Sequence, residues 1–135
     1  MLKKGCKQLV AEANATIKTY SVQEAQRLLN SDEVVFIDLR EEAELMREGV
    51  VPGAVHVPRG MLEFVIDSGS PYHNTVFASG KQCIFYCAAG SRSALGARVA
   101  QEMGLDSIAH VGGGMKAWKE AGAPVEAYQP ENTKQ

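Results

Sequence analysis

Apolar residues along this chain follow two alternating rhythms. Val34, Val35, Phe36 and Ile37 form an unbroken apolar run of strand length, as a strand buried on both faces of a parallel sheet requires. The runs Cys83-Ile84-Phe85-Tyr86 and Ile108-Ala109-His110-Val111 have the same character, and shorter β-prone runs lie at 17–20 and 54–57. Between them the spacing turns helical. Val22, Ala25, Leu28 and Leu29 share one face behind Ser21 and Glu24, which match a capping box. Residues 41–47 run from acidic to basic, as the helix dipole favours, and Gly49 stops them. Helices are also predicted over 60–66, 94–103 and 115–121. In the second of these Leu95, Val99 and Met103 line the apolar face and Gly104 caps the end, while Gly122 and Pro124 stop the third.

Strands and helices alternate throughout, so the predicted fold is a three-layer α/β/α domain with a mostly parallel central sheet of about five strands. It is expected to occupy residues 16–126. Residues 1–15 read as an N-terminal extension, with Leu2, Cys6, Leu9, Val10 and Ala13 spaced for a short peripheral helix. Residues 127–135 read as a polar, frayed tail. The longest irregular stretch, 67–82, is rich in turn formers and is expected to shape the mouth of a pocket. Sites in such sheets lie at the carboxyl ends of strands, where Asp38 and Cys87 fall.

Composition narrows the function. The 135 residues are 45% hydrophobic and 22% charged with a formal charge of −2, ordinary for one globular domain. With no basic stripe, neither nucleic acid nor an anionic membrane is expected as a partner. No apolar run is long enough to span a bilayer, and no apolar stretch follows the opening Met1-Leu2-Lys3-Lys4 to make a secretory signal. Cys6, Cys83 and Cys87 make an odd set without C-x-x-C spacing, which argues against a disulfide framework and for a reducing, cytoplasmic location.

Cys87 carries the candidate chemistry. It sits where one predicted strand ends and the helix read over 94–103 follows, so its thiol faces the free N–H groups of a first helical turn. Those donors and the helix dipole favour a thiolate. Ala88, Ala89 and Gly90 leave room for the backbone to curl into an anion-binding nest, to which Arg92 adds a forked cation. A buried structural cysteine is the competing reading. Only four residues separate Cys87 from Arg92, one fewer than in cysteine-dependent phosphatases, so the loop suits one added sulfur atom better than a phosphoryl group.

The loop Cys87-Ala88-Ala89-Gly90-Ser91-Arg92-Ser93 resembles the active-site loop of the rhodanese family. Asp38-Leu39-Arg40 resembles that family's D-x-R, Glu44 through Pro58 its E-x-x-x-x-G-x-x-P-G-A-x-x-x-P segment, and Gly113 through Trp118 its terminal G-G-x-x-x-W. The chain resembles a single-domain member. The resemblance implies a sulfurtransferase without cofactor or metal. Cys87 would be the nucleophile and carry a persulfide cradled by residues Ala88, Ala89, Gly90, Ser91, Arg92 and Ser93. The sulfur donor would be thiosulfate or another persulfide, including one on a partner protein, and the acceptor cyanide or a thiol. Thiosulfate-preferring members often carry basic side chains directly after the cysteine, where this chain has Ala88 and Ala89. The alternatives are a binding module that uses the fold without chemistry, and a phosphatase or arsenate reductase. Oligomeric state stays open.

Other residues read as structural. Asp38 and Arg40 are expected to form an ion pair or cap that braces the Cys87 loop. His56 and His110 are read as satisfied core histidines, His73 as solvated, Trp118 as core packing, Cys83 as an inert strand thiol and Cys6 as an exposed one. Gly112-x-Gly114-x-x-Ala117 matches a dinucleotide fingerprint, but no second strand has room to follow it, so it reads as a tight turn near the Cys87 loop.

Overall fold

The computed structural model describes residues 1–130; the final part of the tail expected to fray, 131–135, lies outside the described residues. Five strands form one sheet: β1 (Lys18–Tyr20), β2 (Val34–Asp38), β3 (Val55–His56), β4 (Gln82–Tyr86) and β5 (Ile108–Val111), in the spatial order β1-β5-β4-β2-β3. Every pairing between them is parallel. Six α-helices connect or flank the strands: α1 (Cys6–Thr16), α2 (Val22–Arg27), α3 (Glu42–Glu48), α4 (Leu62–Ile66), α5 (Ser91–Glu102) and α6 (Gly114–Glu120). The capping box at Ser21 is formed, with Glu24 N–H donating to Ser21 Oγ and Ser21 N–H to Glu24 Oε1.

The pleat divides the core between the two faces of the sheet. Ile37, Leu39, Cys83 and Phe85 point toward Ala13 of α1, Leu62 and Ile66 of α4, and Ala94, Ala97 and Ala100 of α5. Phe36, Ile84, Tyr86 and Val111 point the other way, toward Val22 and Ala25 of α2 and Met115 and Trp118 of α6. This is the three-layer α/β/α arrangement that the alternating rhythms predict. Trp118 donates its indole N–H to the carbonyl of Pro124 at 2.6 Å, which satisfies its one polar atom inside the core.

Two expectations are corrected. The buried face of α5 is Ser93, Ala94, Gly96, Ala97 and Ala100, not Leu95, Val99 and Met103; Met103 is exposed. The helix sits too close to the sheet for large side chains. A methyl group on Gly96 would stand 2.6 Å from Leu39 Cδ1 and 3.2 Å from Leu62 Cδ2. Residues 67–82 do not shape a mouth beside Cys87. His73 Nδ1 and the Asn74 amide bond the carbonyl of Val65 and fold the segment back on α4. It contains a 3₁₀ turn (Thr75–Ala78) whose Phe77 enters the core, and it delivers the chain to the amino end of β4, the opposite edge from Cys87.

Candidate active site

Cys87 follows β4, the strand between β2 and β5, at the carboxyl edge of the sheet. Its side chain turns into the concavity of the loop that leads to α5. Gly90 adopts φ +111°, a left-handed conformation that a side chain would resist, and this turns the loop back over the sulfur. The amides of Gly90 and Ser93 donate to Cys87 Sγ at 3.2 and 3.3 Å. Two amides of the loop therefore converge on the thiol sulfur itself. The amides of Ala88 and Ala89 donate to no acceptor among the described residues, and those of Ser91 and Arg92 belong to the open first turn of α5. Cys87 is 1% exposed; Ala88 beside it is half-buried and Ala89 exposed.

The loop is clasped from below by the start of α6. Met115 N–H donates to the Cys87 carbonyl at 2.8 Å and Lys116 N–H to the Ala88 carbonyl at 3.0 Å. This approach needs Gly114, whose φ is +58° and whose absent Cβ would lie 2.5 Å from the Cys87 carbonyl oxygen. The glycine run read as a tight turn near the loop is thus its seat.

Arg92 does not offer a free cation. Its Nη1 and Nη2 donate to Glu44 Oε2 and Oε1 at 2.8 and 2.9 Å, a two-bond fork typical of guanidinium and carboxylate. That hydrogen bonding pulls the Glu44 carboxyl down to about 2. Asp38 and Arg40 form a fully buried pair, with Arg40 Nη2 at 2.8 Å from Asp38 Oδ2 and 2.7 Å from the Gly49 carbonyl. The Arg40 guanidinium lies 5.7 Å from the centre of the Tyr86 ring, next to Cys87 in sequence, and makes no hydrogen bond to residues 87–93 among the described residues.

His110 is buried and satisfied, as the sequence suggests, yet its partners lead to the thiol. Its Nδ1 lies 2.9 Å from Ser93 Oγ, and Ser93 Oγ lies 3.5 Å from Cys87 Sγ. Its Nε2 meets Asn14 Oδ1 at 2.8 Å and Thr19 Oγ1 at 3.2 Å. Burial drops the His110 imidazole to about 4, so it is neutral near pH 7. Sequence spacing cannot reveal this chain, because its members come from α1, β1, α5 and β5. His56 Nε2 bonds the Arg40 carbonyl at 2.7 Å. Cys83 lies inside the core, where burial pushes its thiol up to about 11, and Cys6 is exposed. Among the described residues no cluster of His, Cys, Asp or Glu could hold a metal ion, and no helix is long and apolar enough to cross a membrane.

Comparisons with known proteins agree with this architecture. A solved structure from Rhodopseudomonas palustris CGA009, of a protein of unknown function described as a "possible tyrosine phosphatase", is 44% identical. It superposes with a TM-score of 0.90 over 93% of this chain and 97% of that one. The mouse thiosulfate sulfurtransferase/rhodanese-like domain-containing protein 3 is 28% identical across 77% of this chain and 69% of its own length. The thiosulfate:glutathione sulfurtransferase of Saccharomyces cerevisiae is 29% identical across 77% of this chain and 79% of its own. A family model for the rhodanese-like domain matches residues 21–121. Because that stretch takes in every strand except β1, the whole Cys87 loop and the glycine clasp beneath it, the chain belongs to the rhodanese-like domain family.

Proposed function

We propose that the protein is a sulfurtransferase in which Cys87 carries the sulfur as a persulfide. The observation that carries this reading is the position of Cys87 Sγ, which accepts two amide N–H groups inside a short loop at the start of α5. Fixed amides aimed at a sulfur stabilise negative charge there without reorganising during the reaction. The Cys87 thiolate attacks the outer sulfur of the donor. With thiosulfate, a new S–S bond forms, the old one breaks, and sulfite leaves with the electron pair. The amides of Ala88, Ala89, Ser91 and Arg92 remain to serve the added sulfur. An acceptor thiol or cyanide then attacks that outer sulfur and returns the Cys87 thiolate, so the kinetics are ping-pong.

The site favours donors that do not need a cation. Ala88 and Ala89 supply none, and the fork of Arg92 is taken by Glu44. A small-molecule or protein persulfide therefore fits the loop better than thiosulfate, and a cellular thiol such as glutathione is the acceptor that the yeast relative's name points to. Free cysteines suit a reducing compartment such as the cytoplasm. Asp38 and Arg40 act as supports for the strand end rather than as reactants.

The test is the mass of Cys87 after treatment with thiosulfate or a glutathione persulfide. A 32-Da gain on Cys87 that disappears on adding thiol, and is absent from a folded Cys87→Ser protein, is the expected result. Absence of any such adduct with either donor would instead favour a binding module. Cys87-dependent turnover of para-nitrophenyl phosphate would favour phosphoryl transfer.

A further inference from the structure

The hydrogen-bond chain behind Cys87 has a direction. Asn14 Oδ1 is an amide oxygen and can only accept, so His110 carries its proton on Nε2 and donates it to Asn14, with Thr19 Oγ1 beside them. His110 Nδ1 is then an acceptor and takes the Ser93 hydroxyl hydrogen at 2.9 Å. The oxygen of that hydroxyl is left facing Cys87 Sγ at 3.5 Å as an acceptor of the thiol hydrogen. We propose that Asn14, at the end of α1, is a positioning residue for Cys87: by keeping the His110 proton on Nε2 it holds the Ser93 hydroxyl hydrogen away from the sulfur, so that the thiolate is served by backbone amides alone. The N-terminal helix, which precedes the family match at 21–121, thereby becomes part of the site.

Geometry favours this state over the alternative, in which the hydroxyl hydrogen turns to the sulfur. That turn exchanges a 2.9 Å contact for a 3.5 Å one and strands the buried Nδ1 without a donor. Burial keeps His110 neutral down to about pH 4, so the arrangement does not change over ordinary pH. Among the described residues no charged side chain hydrogen-bonds the imidazole. Asn14 faces it from α1, Thr19 from β1 and Ser93 from α5, and Phe85 is its neighbour on β4. On the loop side the charged groups are Arg92, paired with Glu44, and Arg40, paired with Asp38, and none of them is altered in the test. The chemical consequence is a thiolate with fewer donors and hence greater nucleophilicity, since that property falls as a thiolate is stabilised.

The inference rests on Cys87 being the reacting sulfur, but its test needs no sulfur donor, so the two readings can fail separately. The rate of Cys87 alkylation by iodoacetamide is followed against pH. In the double variant Asn14→Leu/Thr19→Val, apolar side chains of similar size take the place of both acceptors of Nε2. The ring then shifts its proton to Nδ1 and donates to Ser93, whose hydroxyl hydrogen is left to choose between the Gly90 carbonyl at 3.2 Å, which already accepts the Ala94 amide, and the charged sulfur at 3.5 Å, the stronger acceptor. The alkylation midpoint should fall by about one pH unit, the worth of one hydrogen bond to a charged atom, and the limiting rate at high pH should drop. An unchanged or raised midpoint in the folded double variant overturns the proposal. Ser93→Ala gives an independent reading. The proposal requires a midpoint at or below that of the unaltered protein, whereas a rise of about one pH unit means that the hydroxyl was already donating to the sulfur, and the proposal is wrong.

Discussion

Replacing Gly114 by alanine should loosen the seat of the Cys87 loop more than its small size suggests. The added Cβ would stand 2.5 Å from the Cys87 carbonyl oxygen and 2.8 Å from the Ala88 carbonyl carbon and oxygen. All three atoms are backbone, so no flexible side chain can yield. Alanine at φ +58° also costs about 1–2 kcal/mol. Relieving the overlap requires α6 to withdraw, which gives up the 2.8 Å Met115–Cys87 and 3.0 Å Lys116–Ala88 bonds, at about 1 kcal/mol each. The expected loss is about 3–4 kcal/mol, which a domain of typical stability survives. Because the clasped carbonyls belong to Cys87 and its neighbour, alkylation of the thiol should change as well. Gly53→Ala is the control. Gly53 has φ +78° but no atom within 4 Å of its missing Cβ, so only the conformational cost applies. Urea unfolding and iodoacetamide rates on both variants decide the matter. Equal stabilities for the two, with an unaltered alkylation rate in Gly114→Ala, would refute the clasp.

Two further outcomes follow from charges near the site. Glu44→Gln should free the Arg92 fork while retaining a side-chain acceptor for the Glu41 amide; KM for thiosulfate in a cyanide assay should then fall by about three- to tenfold, or about 1 kcal/mol, and an unchanged or higher KM would show that Arg92 does not meet the donor. His110 sits at about 4 in the folded protein against about 6.5 when unfolded, so below pH 6.5 the unfolded chain binds a proton that the folded one refuses. Stability should therefore decline as pH falls from 6.5 to about 4, by up to about 3 kcal/mol from this residue, and level out below that. Urea midpoints at pH 7, 5.5 and 4 should show a shallower decline in His110→Gln, and parallel declines would contradict the assignment.

The sequence made the strands, the capping box and the turn after Cys87 legible because each depends on near neighbours. A strand buried on both faces must be continuously apolar, and Val34–Asp38 is so through Ile37. Cys87 could be placed because a strand end and a helix start determine what surrounds it. The misreadings arose where distant elements set the outcome. The core face of α5 was hidden because hydrophobic spacing favours large residues, whereas closeness to Leu39 and Leu62 selects Ala94, Gly96, Ala97 and Ala100. Arg92 looked like a free cation because Glu44, 48 positions earlier, gives no local sign of reaching it. His110 was readable as buried, but its path to the thiol runs through Ser93 and ends at Asn14, 96 positions away.

The position of Cys83 has a consequence for oxidation. It lies within β4, and Cys87 follows the end of that strand four residues later. An extended chain spaces such residues about 13 Å apart, whereas a disulfide needs Cα atoms within about 7 Å. Strand β4 thus works as a rigid spacer. If peroxide converts Cys87 to a sulfenic acid, Cys83 cannot close on it to form a protective bond without the sheet coming apart. Recovery through that neighbour is ruled out, and a small thiol arriving from solution provides a route that leaves the sheet intact.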